Sequence, residues 1–297
     1  MTVQRVTPEQ VLAWRDQRYR RREDLRLRTP SQAADFVNDV GYCFVFSGQG
    51  LEMPTLWEAV CGESRLVPVH HHDPDLGRTW DWKDELPSQG LVYYGKWLRK
   101  KPMLIALKLL PFLYALSENT GDVLDYLVEY RDGRLTDEGR RVYEVLLKGG
   151  PMPTSHLRRA AGLAGKDAAP RFDRAIVELQ MRLMIVKVGI SDANAWRYCY
   201  VYDLFQRRFP DVAAQAEAIS YERAGRVLLE TYLKNVGVAE VADLARLFGK
   251  QEAAVNLPLK QLWAERDAWS AEVTVEGRDA DCLASIDFVA AVRADSQ

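Results

Sequence analysis

Apolar residues recur three and four positions apart from Thr136 to Leu183, then at alternate positions as far as Tyr202. Val142, Val145, Leu146 and Leu147 form one stripe behind Thr136 and Asp137, a pair that opens helices, and Gly149-Gly150-Pro151 ends it. The pattern predicts a short second helix over residues 154–163, a break at 165–170 and a third helix over 171–183. Residues 185–190 and 196–202 then read as a hairpin around Ser191-Asp192-Ala193-Asn194. Helix, helix, helix, hairpin is the order of a winged helix-turn-helix, a module that meets nucleic acid.

The same order returns downstream. Residues 220–235 carry Ala224, Val227, Leu228 and Tyr232 on one side and stop at Gly237. A helix over 238–248, another over 252–267 and a wing strand over 269–276 follow, with no residue-level repeat between the two units. The N-terminal third is less regular. Helices over 7–22 and 32–40, a strand over 42–46 and a helix over 54–61 fit a third, diverged unit. Residues 66–95 read as loop-rich with a strand at 91–94, and residues 96–116 as one long helix or a broken pair. The predicted class is mainly α with small β-wings, built from tandem winged helix-turn-helix units. Its predicted divisions are 1–135 (helical or diverged winged helix), 136–210 and 211–297 (winged helices, the last with a short extension).

Composition narrows this picture without changing it. The 297 residues are 47% apolar and 28% charged, ordinary for a chain that buries a core. No run reaches the roughly 18 apolar residues of a membrane helix, and Arg5 and Glu9 interrupt any leader-like segment, so a cytoplasmic, membrane-free protein is expected. Cys43, Cys61, Cys199 and Cys282 lack paired spacing and read as reduced core residues. The net charge of −2 weighs against a uniformly basic surface. Basic residues nevertheless segregate. Seven arginines fall within residues 14–28, Lys96, Arg99, Lys100 and Lys101 surround Trp97, and Arg158 and Arg159 follow His156. These runs are either solvated helix faces or patches of a DNA-binding face. As DNA contacts they nominate Arg18, Arg21, Arg22, Lys100, Lys101, Arg158 and Arg159. The third helix of the unit adds Arg171, Arg174 and Arg182, and the wing adds Arg197. The acidic last unit suits protein docking better. Trp196, Tyr198, Tyr200 and Tyr202 alternate along the wing and read as sheet core. His70, His72 and Asp73 share an extended segment in a possible metal trio, but with only His156 elsewhere a polar loop is expected, and no cofactor.

The tandem units, together with Phe36-Val37-Asn38-Asp39-Val40-Gly41-Tyr42-Cys43, Thr55-Leu56-Trp57-Glu58-Ala59 and residues 108–122, resemble the AlkZ/YcaQ superfamily, in its divergent AlkZ-related branch. The resemblance implies a DNA partner and the excision of alkylated or crosslinked bases. It also implies a Gln-hydrophobic-Gln or Gln-hydrophobic-Asp motif that holds the attacking water near a cation-like sugar. Here the two polar positions fall on Phe44 and Phe46, and a phenyl ring can neither accept a proton nor orient water. Gln49, Glu52, Glu58 and Asp73 lie nearby, and Glu52 and Glu58 are the candidates for a relocated catalytic group. Three readings stay open: a non-catalytic DNA-binding (damage-binding) protein, an active DNA glycosylase with a relocated group, and a winged-helix interaction scaffold.

Overall fold

A threonine or serine, a helix, a glycine and a short strand recur three times, and each occurrence starts a unit of the same topology. The computed structural model describes residues 4–46, 50–69, 72–117, 119–248, 270–277 and 282–295. Strand β1 (Gln4–Val6) and helix α1 (Pro8–Arg18) come first. The first unit comprises α2 (Pro30–Val40), β2 (Tyr42–Phe44), α3 (Leu56–Cys61), α4 (Pro74–Ser88), β3 (Tyr93–Gly95) and β4 (Met103–Ile105). Helices α5 (Leu110–Ala115) and α6 (Asp125–Arg131) lead to the second unit. That unit comprises α7 (Asp137–Gly149), β5 (Met152–Pro153), α8 (Thr154–Ala160), α9 (Ala169–Met181), β6 (Ile185–Ser191) and β7 (Cys199–Leu204). After α10 (Phe205–Arg208) and α11 (Val212–Glu217) the third follows: α12 (Tyr221–Val236), β8 (Val238–Glu240), α13 (Val241–Phe248), β9 (Ser270–Val275), β10 (Cys282–Ser285) and a last helix α14 (Ile286–Asp295). The predicted helix over 252–267 lies outside the described residues.

In each sheet the last strand is central. The orders are β2-β4-β3, β5-β7-β6 and β8-β10-β9, and β1 adds to the outer edge of β9 in parallel. The chain is thus mainly α with small β-sheets, as the sequence predicts. The opening helices are capped alike. Thr29, Thr136 and Ser220 each accept a hydrogen bond from the N–H three residues on, at 3.2, 3.1 and 3.2 Å. Such a cap is worth about 1 kcal/mol. Each of these helices stops at a glycine of positive φ: Gly41 at 78°, Gly150 at 74° and Gly237 at 73°. At Gly41 a Cβ would also lie 2.6 Å from Thr231 Cγ2 on α12, so a side chain there would force one of the two to shift.

The units share one core. Tyr42, Phe44 and Trp97 of the first, Leu183 and Val186 of the second and Leu228, Tyr232 and Leu283 of the third belong to a single buried cluster. Buried polar groups stitch the seam between the first and third. Tyr42 donates to the Leu228 carbonyl at 2.7 Å, and Asn235 donates to the Val40 carbonyl at 2.6 Å. Arg18 donates to the Asn235 carbonyl oxygen of its side chain at 3.0 Å, and Arg15 donates to the Val236 and Val238 carbonyls at 2.9 and 3.0 Å. Asn235→Leu should therefore cost about 1–3 kcal/mol, read as a drop in the urea midpoint, because it orphans a buried carbonyl and one arm of Arg18. An unchanged midpoint would show that this seam contributes nothing.

Three local expectations fail. Residues 66–95 hold the 15-residue helix α4, capped by Asp73, which accepts from the N–H groups of Asp75 and Leu76. Residues 96–116 are not one helix. Their apolar run begins with β4, the central strand of its sheet, buried at all three positions. Trp196 does not join the sheet core; it is 88% exposed on the turn before β7.

Candidate functional site

A cleft of about 740 Å³ opens between the β3–β4 hairpin of the first unit and helix α9 of the second. Lys100, Arg171, Arg174 and Arg182 line it, so four of the basic residues nominated from sequence converge on one place. Arg171 and Arg174 stand one turn apart on α9, whose opposite face (Phe172, Ala175, Ile176, Leu179) is buried. Lys100 arrives by a strained route. Trp97 and Leu98 anchor the hairpin in the core, and the Lys101 N–H closes a turn onto the Leu98 carbonyl at 3.1 Å. Its central residues, Arg99 and Lys100, have φ of 54° and 57°. Glycine or asparagine ordinarily fills both positions of such a turn, and long basic side chains there mark a site at which backbone strain is tolerated. Glu138, Asp173 and Glu178 also line the cleft. Arg171 pairs with Glu138 at 3.3 Å and Arg182 with Glu129. Arg174 and Lys100 are exposed and pair with no carboxylate among the described residues.

The other basic candidates are placed differently. Arg18 pairs with Asp39 at 3.2 Å and Arg21 with Glu58 at 2.9 Å; their side chains are only 15% and 12% exposed. Neither presents a free cation outward. The arginine run of residues 15–28 is chiefly internal mortar, a role its density of charge did not disclose. Arg22 is exposed but pairs with Asp24 at 2.8 Å. Arg158 spends its guanidinium on the Leu163, Ala164 and Gly165 carbonyls behind α8. Arg159 and Arg197 are exposed, Arg197 on the hairpin turn at φ 51°. Lys101 is half-buried.

Phe44 is 1% exposed and belongs to the same buried cluster as Tyr42, Met53 and Trp97. Its N–H donates to the Pro54 carbonyl at 3.0 Å. Phe46 is half-buried, its ring 6.0 Å from that of Trp80. No polar pair faces solvent at these positions. Glu52 and Glu58 do share a cavity of about 230 Å³ with Arg21, Met53, Trp57 and Ser64. There Arg21 lies 3.8 Å from Glu52 and 2.9 Å from Glu58, Arg15 reaches Glu52 at 3.1 Å, and Thr55 and Ser64 both donate to Glu58. Gln49 and His70 lie outside the described residues. Asp73 caps α4 and pairs with Arg65, and among the described residues no group of three or more His, Cys, Asp or Glu is placed to hold a metal ion.

One cluster escaped the sequence reading. Lys83 and Asp84 on α4 meet Lys187 on β6 at the seam between the first and second units, and all three are buried. Asp84 accepts from Lys83 at 2.8 Å, from the Tyr198 hydroxyl at 2.6 Å and from Lys187. Lys83 also donates to the Tyr198 oxygen at 2.7 Å. The Lys187 ammonium lies over the Tyr94 and Tyr200 rings, 4.3 and 4.4 Å from their centroids. Burial pushes Lys187 below its ordinary value against the pull of Asp84. Burial raises Asp84, but Lys187, Lys83 and Tyr198 outweigh it and hold the carboxyl below its ordinary range. Elsewhere, all four cysteines are buried and free, and burial pushes the Cys43 thiol up to about 12. No described helix is long and apolar enough to cross a membrane.

Residues 27–249 match the model of a family described as AlkZ related. Among solved structures, the chain is similar to the Streptomyces sahachiroi DNA glycosylase AlkZ, with a TM-score of 0.56 and 18% identity, over 98% of this chain and 72% of that one. At that identity the likeness shows the fold. No curated protein matches the chain.

Proposed function

Because the chain belongs to the AlkZ-related family, we propose that it binds DNA across the cleft between the β3–β4 hairpin and α9, without the family's polar catalytic pair. The observation that carries this reading is the convergence of Lys100, Arg171, Arg174 and Arg182 on one open cleft while Phe44 is sealed in the core. Phosphate oxygens are the partners such side chains fit. Among the described residues Lys100 and Arg174 have no carboxylate partner to give up on binding, so each adds a counterion-releasing contact. Support for DNA as the partner also comes from the likeness to a DNA glycosylase.

The test is fluorescence anisotropy of a labelled duplex over a series of salt concentrations. Lys100→Ala and Arg174→Ala should each weaken binding to any sequence and reduce the slope of log affinity against log salt by about 1. Unchanged slopes, or no salt-dependent binding by the parent protein at low salt, would sink the proposal. The second outcome would leave a protein-docking scaffold as the better reading.

A second reading rests on the cavity that holds Glu52 and Glu58. Two carboxylates bracketing Arg21 beside Trp57 could stabilise a cation-like sugar and orient water, as hydrolysis of an N-glycosidic bond requires. An alkylated-base release assay separates the two. Excision by the parent protein, lost in Glu52→Gln or Glu58→Gln and kept in Phe44→Ala, would favour a relocated catalytic group. Absence of release from every alkylated substrate favours binding without cleavage.

A further inference from the structure

Five aromatic rings run in sequence from the middle sheet to the surface of the first unit. Tyr202 meets Tyr200 at 6.2 Å between centroids, Tyr200 meets Tyr198 at 5.7 Å, Tyr198 meets Trp80 at 6.0 Å, and Trp80 meets Phe46 at 6.0 Å. The row passes from buried to open. Tyr202 is 4% exposed and Trp80 45%. The inner pairs are edge-to-face, with planes 84° and 69° apart. The outer pairs are tilted, with planes 42° and 35° apart. Trp80 is not needed to seat its helix. The inward side of α4 is already formed by Leu76, Thr79, Trp82, Lys83 and Leu86, all buried. The Trp80 indole packs against Phe46, Tyr198 and the Lys83 ammonium and still leaves 45% of the residue exposed.

Charge lies beneath the rings. Lys83 Nζ is 4.0 Å from the Trp80 ring centroid and 5.4 Å from those of Tyr198 and Tyr200, and Lys187 lies under Tyr94 and Tyr200. Asp84 is the carboxylate these two lysines share. Two buried ammoniums therefore lie against rings of the row, and Trp80 at its outer end stays exposed. A planar group attached to a polyanion fits both features. Nucleobases stack on aromatic faces whatever their sequence, and the backbone that carries them is drawn to positive charge.

We propose that Phe46, Trp80 and Tyr198 form a stacking site for one unpaired base of a bound DNA. This rests on the DNA-binding reading above and adds the class of DNA preferred, a duplex with a base free of its partner. A fully paired duplex keeps its bases in its own stack and offers none to the site.

The full-length protein would be titrated into two labelled duplexes alike except at one position, where an adenine faces either thymine or an abasic analogue. The parent should favour the unpaired adenine by about tenfold. Trp80→Ala should bring the ratio of the two affinities close to one, and Trp80→Phe should keep most of it. Because both duplexes are read on the same preparation, partial misfolding lowers both affinities and leaves the ratio informative. A parent that binds both duplexes equally, or a Trp80→Ala variant that keeps the preference, overturns the stacking site and leaves the DNA reading standing. In that event the exposed ring is better assigned to a protein contact. Absence of binding to either duplex overturns both proposals.

Discussion

Asp84→Asn is expected to lower the thermal midpoint by roughly 10 °C near pH about 6, and by clearly less near pH about 10. Asparagine keeps the shape of the side chain but removes the one negative charge between two buried ammoniums. Lys187 has no exposed side-chain surface and Lys83 only 3%, so neither can swing into water to be solvated. Breaking a buried ion pair by removing one partner costs about 3–5 kcal/mol, because an uncompensated charge stays behind.

The pH dependence follows from the direction of each shift. Burial already holds Lys187 below its ordinary 10.5. Between that depressed value and 10.5 the unfolded chain binds more protons than the folded one, so raising the pH through this window favours folding. Removing Asp84 removes the main pull in the opposite direction, depresses Lys187 further and widens the window downward. The deficit of the variant should therefore shrink as the pH rises. Asp84 itself acts at the other extreme. Its carboxyl lies below the ordinary 3.8, so its contribution is present above that value and fades as the pH falls through the depressed one. Thermal unfolding followed by circular dichroism reads the lysine effect in the variant between pH about 6 and pH about 10, and the Asp84 effect in the parent as the pH falls below 3.8. A deficit that stays constant from pH about 6 to pH about 10 would show that the lysines are not the buried charges left behind.

This cluster marks the boundary of what the sequence could disclose. The amphipathic helices α7, α9 and α12 were legible because their inward positions are apolar at helical spacing, and β6–β7 because turn residues separate two apolar runs. Helix α4 was not, although Asp73-Pro74 is a recognisable start. Its buried positions include Thr79, Lys83 and Asp84, so the polar residues that form the seam also erase the apolar stripe. Their partner, Lys187, lies more than a hundred residues away, and no local pattern announces it. The run at 96–116 failed for a related reason. A central strand buried on both faces has a continuous apolar pattern, which periodicity cannot tell from a buried helix.

The repeat itself was partly legible. No extended residue-level repeat runs along the units, but Thr29 and Gly41, Thr136 and Gly150, and Ser220 and Gly237 bracket equivalent helices. Only the conformations with strict backbone demands, a cap and a left-handed stop, leave a common trace. Of the candidate site, the α9 arginines followed from their place on a third helix. Lys100 followed only as part of a charge run, and a run of the same kind at residues 15–28 turned out to be internal. Charge density identifies cations; which of them face solvent depends on the carboxylates and carbonyls that the fold brings beside them.

Phe44→Gln, which places an amide at the first of the two substituted positions, is expected to destabilise the fold by about 4 kcal/mol or more and to confer no base release. The ring is buried in the cluster that all three units share, with Tyr42, Met53 and Trp97 among its members. Truncating a buried aromatic side chain costs about 3–5 kcal/mol through lost contacts and the cavity left behind. Glutamine fills part of that space, but it brings two donors and an acceptor into surroundings that are apolar. The backbone there is already bonded: the Phe44 N–H donates to the Pro54 carbonyl, and β2 pairs with β4 from Tyr42 to Phe44. An amide left without partners adds about 1–3 kcal/mol. Phe46→Gln should be far milder, about 1 kcal/mol, since that ring is half-buried and its removal loosens only one side of Trp80. Urea unfolding of the two variants gives the comparison directly. If Phe44→Gln matched the parent in stability, the interior would contain a polar niche after all, and water held at that position would return as a candidate for chemistry. If it unfolds as expected while Phe46→Gln does not, the first position has become core and the second remains at the edge of the aromatic row.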